Sequence, residues 1–346
     1  MRNMEEYLVF SREESAKEVA EIADTYCVAL DKLVDASVGV YIQIFETKSE
    51  LTHRMVLHRF LHIIDMADAI SITARSGSGV ACSQLFRSCL EATITVRYLT
   101  MEESKRDQRA LALAYSDLME FEKQQRSTTT CNPLGASVHR RKAESVYRFM
   151  PDTNPQKAKG NLGAVRSRMK EATYRDTHAE YERIVDRLSE GKKRKVKKHM
   201  VNWYSLYDGP SGLEELAKIC GLAHEYDVLY RHTSAPIHGR VLIHSPALQD
   251  NEAKLGRVRN PESVETWVSL TENLLYHCLT IMVMHYNPND KLDMLRWYWQ
   301  EVRPHLPREM PPLDTSILSD EDKETMEQFV KRMGTSRDSD SEQDED

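Results

Sequence analysis

The stretch Ala81–Leu99, "ACSQLFRSCLEATITVRYL", decides the fold class. Cys82, Leu85, Phe86, Cys89, Val96 and Leu99 recur at three- and four-residue steps and form one apolar stripe, which is the period of an α-helix rather than of a strand. Ser83, Arg87, Glu91 and Tyr98 gather on another side. A helix of this kind buries one face and carries a polar cluster on the other. Within that cluster Arg87 and Glu91 stand at i and i+4, where opposite charges pair.

Working outward, the flanking segments show the same period. Ala16, Val19, Ala20, Ala23, Cys27, Leu30 and Val34 predict a long first helix from Ser11 that continues through "VGVYIQIF", with a short strand-like tail as the alternative. "MVLHRFLHIIDMADAISI" predicts a second helix, ended by "ARSGSG". Further helices are expected over Asp107–Gln125, Ala136–Phe149 and Tyr174–Leu188, separated by the breaker-rich "TCNPLG" and "MPDTNPQKAKGNLG". After "DGPSG" a helix climbs through Leu213, Leu216, Cys220, Ala223 and Tyr230. Val264, Trp267, Val268, Leu274, Leu275, Cys278, Ile281 and Met282 mark the inner face of a later long helix, and "LDMLRWYWQEV" a closing aromatic one.

The fold class is therefore all-α: a multi-helix bundle with a helical, charged middle insertion and a disordered acidic C-terminal tail. Residues 1–310 read as one helical domain, its core roughly 11–125 and 211–303 and its insertion roughly 126–210. A peripheral helix is expected over 311–334 and a disordered tail over 335–346, where "TSRDSDSEQDED" is nearly free of apolar residues.

Composition narrows the function classes. With 346 residues, 40% hydrophobic, 29% charged and a formal charge of -7, the chain has enough apolar content for a core and lacks the positive coat of a duplex-binding protein. "MRNMEEYLVFSREES" has no export signature, and "LLYHCLTIMVMHY" is interrupted by His277 and His285 and is too short to span a bilayer. No membrane association and a cytoplasmic location are expected. Cys27, Cys82, Cys89, Cys131, Cys220 and Cys278 contain no C-x-x-C pair, so reduced, mainly core thiols are expected and no zinc cage. No glycine-rich phosphate loop, Rossmann fingerprint or G-x-S-x-G elbow is present, and no cofactor is expected.

The second polar stretch is Leu229–Arg240, "LYRHTSAPIHGR". If the preceding helix persists, Tyr230, Ser234 and His238 recur every fourth residue on nearly one side, and Pro236 introduces a kink or break. Together, "RSCLEATITVRYL" and "YRHTSAPIHG" resemble the paired signature of the domain-of-unknown-function 5677 family, an R-S-x-x-E-A helix followed by a Y-x-x-x-S-x-x-x-H-G segment. The resemblance covers roughly residues 61–285 and implies a helical fold without naming a reaction.

Arg231, His232 and His238 also form R-H-x-x-x-x-x-H, which resembles the motif of HEPN ribonucleases, although Pro236 departs from that pattern. Those proteins are small helical bundles, often toxins or phage-defence effectors, whose motif works across a homodimer. The resemblance implies RNA as partner and His238 as general base or acid, because histidine titrates near the working pH. It also implies Arg231 as the clamp on the phosphate, His232 or Tyr230 as an orienting group, Glu91 holding the imidazole or the arginine, and Arg87 beside them. Tyr230, Ser234 and the basic run containing Lys192, Lys193, Arg194 and Lys195 are the candidate substrate contacts, with Trp203, Tyr204 and Tyr207 available for stacking.

Two other readings stand beside this one. Arg87, Glu91, Tyr230 and His238 can form a structural polar network in a non-catalytic interaction module. Alternatively, His58, His62 and Asp65, at i, i+4 and i+7 in "HRFLHIID", can hold a metal for hydrolysis.

Overall fold

The structure is a computed structural model that describes residues 12–130, 155–190, 196–230, 261–286 and 291–305, with positions 324 and 328 besides. Among the described residues every regular element is helical and none is a strand. The predicted helix Ala136–Phe149 and the acidic tail lie outside the described residues, as does the predicted 311–334 helix apart from those two positions.

The chain clusters into two compact units, one of residues 1–49, 56–100 and 222–346, the other of residues 50–55 and 101–221. The first is built on α1 (Arg12–Thr47), α2 (Leu51–Arg75) and α3 (Gly79–Thr100). The predicted first helix runs unbroken through "VGVYIQIF", so its tail is helix and not strand. Val19, Ala23, Cys27, Leu30 and Val34 of α1 are buried at the predicted spacing. Gly77 ends α2: its φ of 75° is open to glycine at little cost. Its N–H donates to the Ala74 carbonyl while that of Ser78 donates to Thr73, so two terminal carbonyls are satisfied.

On α3 the stripe Cys82, Phe86, Cys89, Val96 and Leu99 is buried, as are Ile94 and Tyr98. Phe86 meets Trp267 at 5.4 Å between ring centroids. Truncating an aromatic so fully enclosed typically costs about 3–5 kcal/mol.

Within the second unit α4 (Glu103–Thr130), α5 (Pro155–Arg168) and α6 (Arg175–Ser189) enclose a core of Tyr115, Tyr174, Tyr181 and Ile184. Residues 155–163 were expected as a break, yet α5 is helical there. Pro155 occupies the first helical position, where its missing N–H is no loss, and Val165 is buried while Arg166 pairs with Glu122 of α4 at 2.8 Å. Packing outweighs the propensity cost of two glycines. The unit ends with α7 (Leu213–Ile219).

The helix expected to run from Leu213 to Tyr230 is interrupted. Gly221, at φ 72°, caps α7, and its N–H donates to the Lys218 carbonyl. Returning to the first unit, the chain restarts as α8 (Ala223–Glu225) and widens into a π turn over Tyr226–Tyr230. That unit is completed by α9 (Pro261–Tyr286), which packs on α1 and α3, and by α10 (Lys291–Trp297).

Candidate functional site

Position 87 lies on the side of α3 turned toward the π turn. Arg87 Nε donates to Glu91 Oε1 at 3.1 Å, as the i,i+4 spacing predicts. Its Nη2 donates to Tyr230 Oη at 2.6 Å, across 143 residues of sequence, and the guanidinium carbon lies 4.3 Å from the Tyr230 ring centroid. Tyr226 stacks on Tyr230 with centroids 4.6 Å apart and planes at 16°. The wider π turn sets both rings side by side as a platform, and π turns of this sort concentrate at functional sites.

The electrostatics follow from this packing. Burial alone pushes the Arg87 guanidinium down, but Glu91 and Tyr230 more than reverse it and its pKa rises. Burial, then the Glu91 carboxylate, pushes the Tyr230 phenol up, so it keeps its proton. Arg87 keeps 21% of its side-chain surface exposed and Glu91 43%. The cluster is thus a fixed cation, a carboxylate and a protonated phenol at a surface that solvent reaches, in which the guanidinium is the group suited to an oxyanion.

Of the residues singled out in the sequence, Arg87, Glu91 and Tyr230 are brought together. Arg231, His232, Ser234 and His238 lie outside the described residues, as do Lys192, Lys193, Arg194 and Lys195. His58, His62 and Asp65 do not form a ligand set: among the described residues no three metal-capable side chains converge. His62 Nε2 instead contacts Ser88 Oγ at 3.2 Å, and burial pushes its pKa down. Its ring faces α3, while His58 and Asp65 face solvent.

Sequence reasoning missed a second cross-helix bond of α3. Arg97 Nη1 lies 2.6 Å from His277 Nε2 of α9, and with the guanidinium donating, the imidazole accepts at that nitrogen. The signal was present in His277 interrupting an apolar run, where a partner is required. It missed Glu272 of α9 as well, 3% exposed with Oε1 unpartnered among the described residues, its pKa raised well above the ordinary value by burial. The five described cysteines are all buried, which fits a core role, and burial pushes the Cys27 thiol up to about 11. No described helix is long and apolar enough to cross a membrane.

No curated protein and no solved structure matches the chain. The profile of a family of unknown function, DUF5677, matches residues 53–254. That span contains both halves of the paired signature, whose described members Arg87, Glu91 and Tyr230 touch in the fold. The chain belongs to the family of unknown function DUF5677.

Proposed function

We propose that the Arg87–Glu91–Tyr230 cluster is the wall of a metal-independent endoribonuclease site, with His238 as general base and acid and Arg231 as the phosphate clamp. One observation carries this reading: Arg87 reaches Tyr230 at 2.6 Å, so the R-S-x-x-E-A helix and the Y-x-x-x-S-x-x-x-H-G segment begin from a shared contact. His238 follows Tyr230 by eight residues in that segment, and its imidazole would take the 2′-hydroxyl proton and return one to the leaving oxygen. Arg231 would bind the phosphate as charge grows on it, with Arg87 reinforcing the local positive potential. Tyr230, kept protonated, would donate a hydrogen bond. The R-H-x-x-x-x-x-H resemblance adds a homodimer and a role in stress or phage defence to the proposal, and the scattered cysteines add a cytoplasmic setting.

The test incubates wild type and His238→Ala with labelled total RNA in the presence of chelator, after circular dichroism shows both folded. Wild type is expected to leave 2′,3′-cyclic phosphate ends, and loss of the general base lowers the rate by about 10²–10⁴-fold. No cleavage by wild type, as monomer or dimer, overturns the reading.

A second reading is favoured by a specific observation. Arg87 already bonds both Glu91 and Tyr230, the arrangement of a network that locks α3 to the π turn in a non-catalytic interaction module. On that reading Arg87→Ala and His238→Ala lower the melting temperature and no RNA is cut.

A further inference from the structure

The second unit holds a cavity of about 520 Å³ that shares no residue with the Arg87 cluster. Its polar wall is built from three elements of distant sequence. Lys198, the last cation of the basic run, places Nζ 2.9 Å from His178 Nδ1, 3.2 Å from Glu182 Oε1 and 3.3 Å from Tyr115 Oη. Tyr115 Oη lies 2.7 Å from the same His178 nitrogen. Lys123 and Arg126 of α4 line the cavity too, and Met119 and Met169 give it a soft apolar surface.

Hydrogen-bond accounting shows how this wall is paired. An ammonium offers three N–H donors and a phenol one O–H, four in all. The acceptors facing them are one imidazole lone pair, the phenol oxygen and the Glu182 carboxylate, and the Glu122 carboxylate lines the cavity as well. Both Lys198 and Tyr115 therefore converge on His178 Nδ1, which can accept well from only one of them. Three cations, Lys123, Arg126 and Lys198, line the cavity with two carboxylates, Glu122 and Glu182, so the lining carries a net positive charge that a group with acceptors only would complement.

The charge balance points the same way. Burial pushes the Lys198 ammonium down and the Glu182 carboxylate does not restore it. Burial also pushes the Tyr115 phenol up to about 12, so its proton remains to be donated. Glu182 is tethered beside Lys198, and a monocarboxylate ligand brings nothing stronger than the partner it must displace. A dianion with several acceptor oxygens does.

We infer that this cavity is a binding site for a phosphomonoester group, held by Lys198 and Tyr115 in place of Glu182, with the organic portion of the ligand against Met119 and Met169. The shared chemistry is the phosphate dianion, whether free or carried by a small organic molecule. Glu182 acts as a built-in competitor for Lys198.

Calorimetric titration of the full chain with inorganic phosphate, 5′-AMP and adenosine tests this, each against wild type, Lys198→Met and Glu182→Gln. AMP is expected to bind wild type. Lys198→Met weakens it by about tenfold or more, the scale of losing a hydrogen bond to a charged group, and Glu182→Gln tightens it several-fold by removing the competitor. The opposite signs of the two variants separate a phosphate site from general loss of structure, because a damaged fold weakens both. AMP well ahead of phosphate identifies an organic ester, and equal affinities identify free phosphate. Adenosine binding as well as AMP, binding indifferent to both substitutions, or no binding by any of the three overturns the inference.

Discussion

Both units hold a cation against a tyrosine and a glutamate: Arg87 with Tyr230 and Glu91 in the first, Lys198 with Tyr115 and Glu182 in the second. The cation lies over the tyrosine ring in each, at 4.3 Å for Arg87 and 5.2 Å for Lys198. Yet the guanidinium is pushed up and the ammonium down. Arg87 spends rigid, planar donors on a carboxylate and a phenol oxygen, so pairing outweighs burial. Lys198 has a single carboxylate contact, at 3.2 Å, with an imidazole and a phenol besides, and burial outweighs pairing. Similar composition thus gives one nearly compensated ion pair and one under-compensated charge, and the direction of the shift tells them apart.

The largest expected effect tests that contrast directly. Arg87→Met removes the guanidinium bonds to Tyr230 and Glu91 and is expected to cost about 2 kcal/mol, the scale of hydrogen bonds to a charged group. Lys198→Met removes a costly buried charge along with its bonds and is expected to stay within about 1 kcal/mol of wild type in either direction. Urea midpoints at unchanged slope measure both. Equal losses break the comparison, since they make the two cations alike in balance.

How much of this was legible in the sequence depends on how local the cause is. The apolar stripe of α3 and the Arg87–Glu91 pair follow from helical spacing alone and are present as expected, whereas Ser83 and Tyr98, which spacing groups with the polar side, are buried. Tyr230 came from a motif, and its 2.6 Å contact needed the π turn and the cap at Gly221, both of which alter a helix that periodicity draws as continuous. Helix α5 was hidden because its stabilising contacts, Val165 in the core and Arg166 on Glu122, lie outside its own propensity. The Lys198 wall was least legible. Its members stand 83 and 20 residues from Lys198, and each alone looks like an ordinary surface or core residue.

Glu272 supplies a third arrangement, a buried carboxyl whose Oε1 has no partner among the described residues. Glu272→Met keeps the volume and removes the unpartnered oxygen, so at neutral pH it is expected to stabilise the chain by about 1–2 kcal/mol. The pH dependence has a definite sign. Burial raises the folded pKa above the ordinary 4.5, so the folded state holds the proton after the unfolded state has released it. Wild-type stability is fully present below pH 4.5 and declines as pH rises toward the folded value. The advantage of Glu272→Met is therefore absent in acid and grows through that window, which unfolding midpoints at stepped pH will show. An advantage independent of pH would mean that Glu272 is charged in the fold.

The smallest effect sharpens the comparison by firming the second unit without touching Lys198. Gly160 and Gly163 lie in α5, where a Cβ at either position meets nothing within 4 Å and neither backbone is left-handed. Alanine at each narrows the unfolded ensemble and fits the helix, so each substitution is expected to add about 0.5–1 kcal/mol. Amide exchange should slow across α5 and across the stretch of α4 that receives Arg166 at Glu122. Because neither glycine lines the cavity, affinity for 5′-AMP should be unchanged. Slower exchange with altered affinity would mean that the cavity's donors are set by the rigidity of α4 and α5, and the imbalance at Lys198 would then be a property of a mobile wall rather than of fixed geometry.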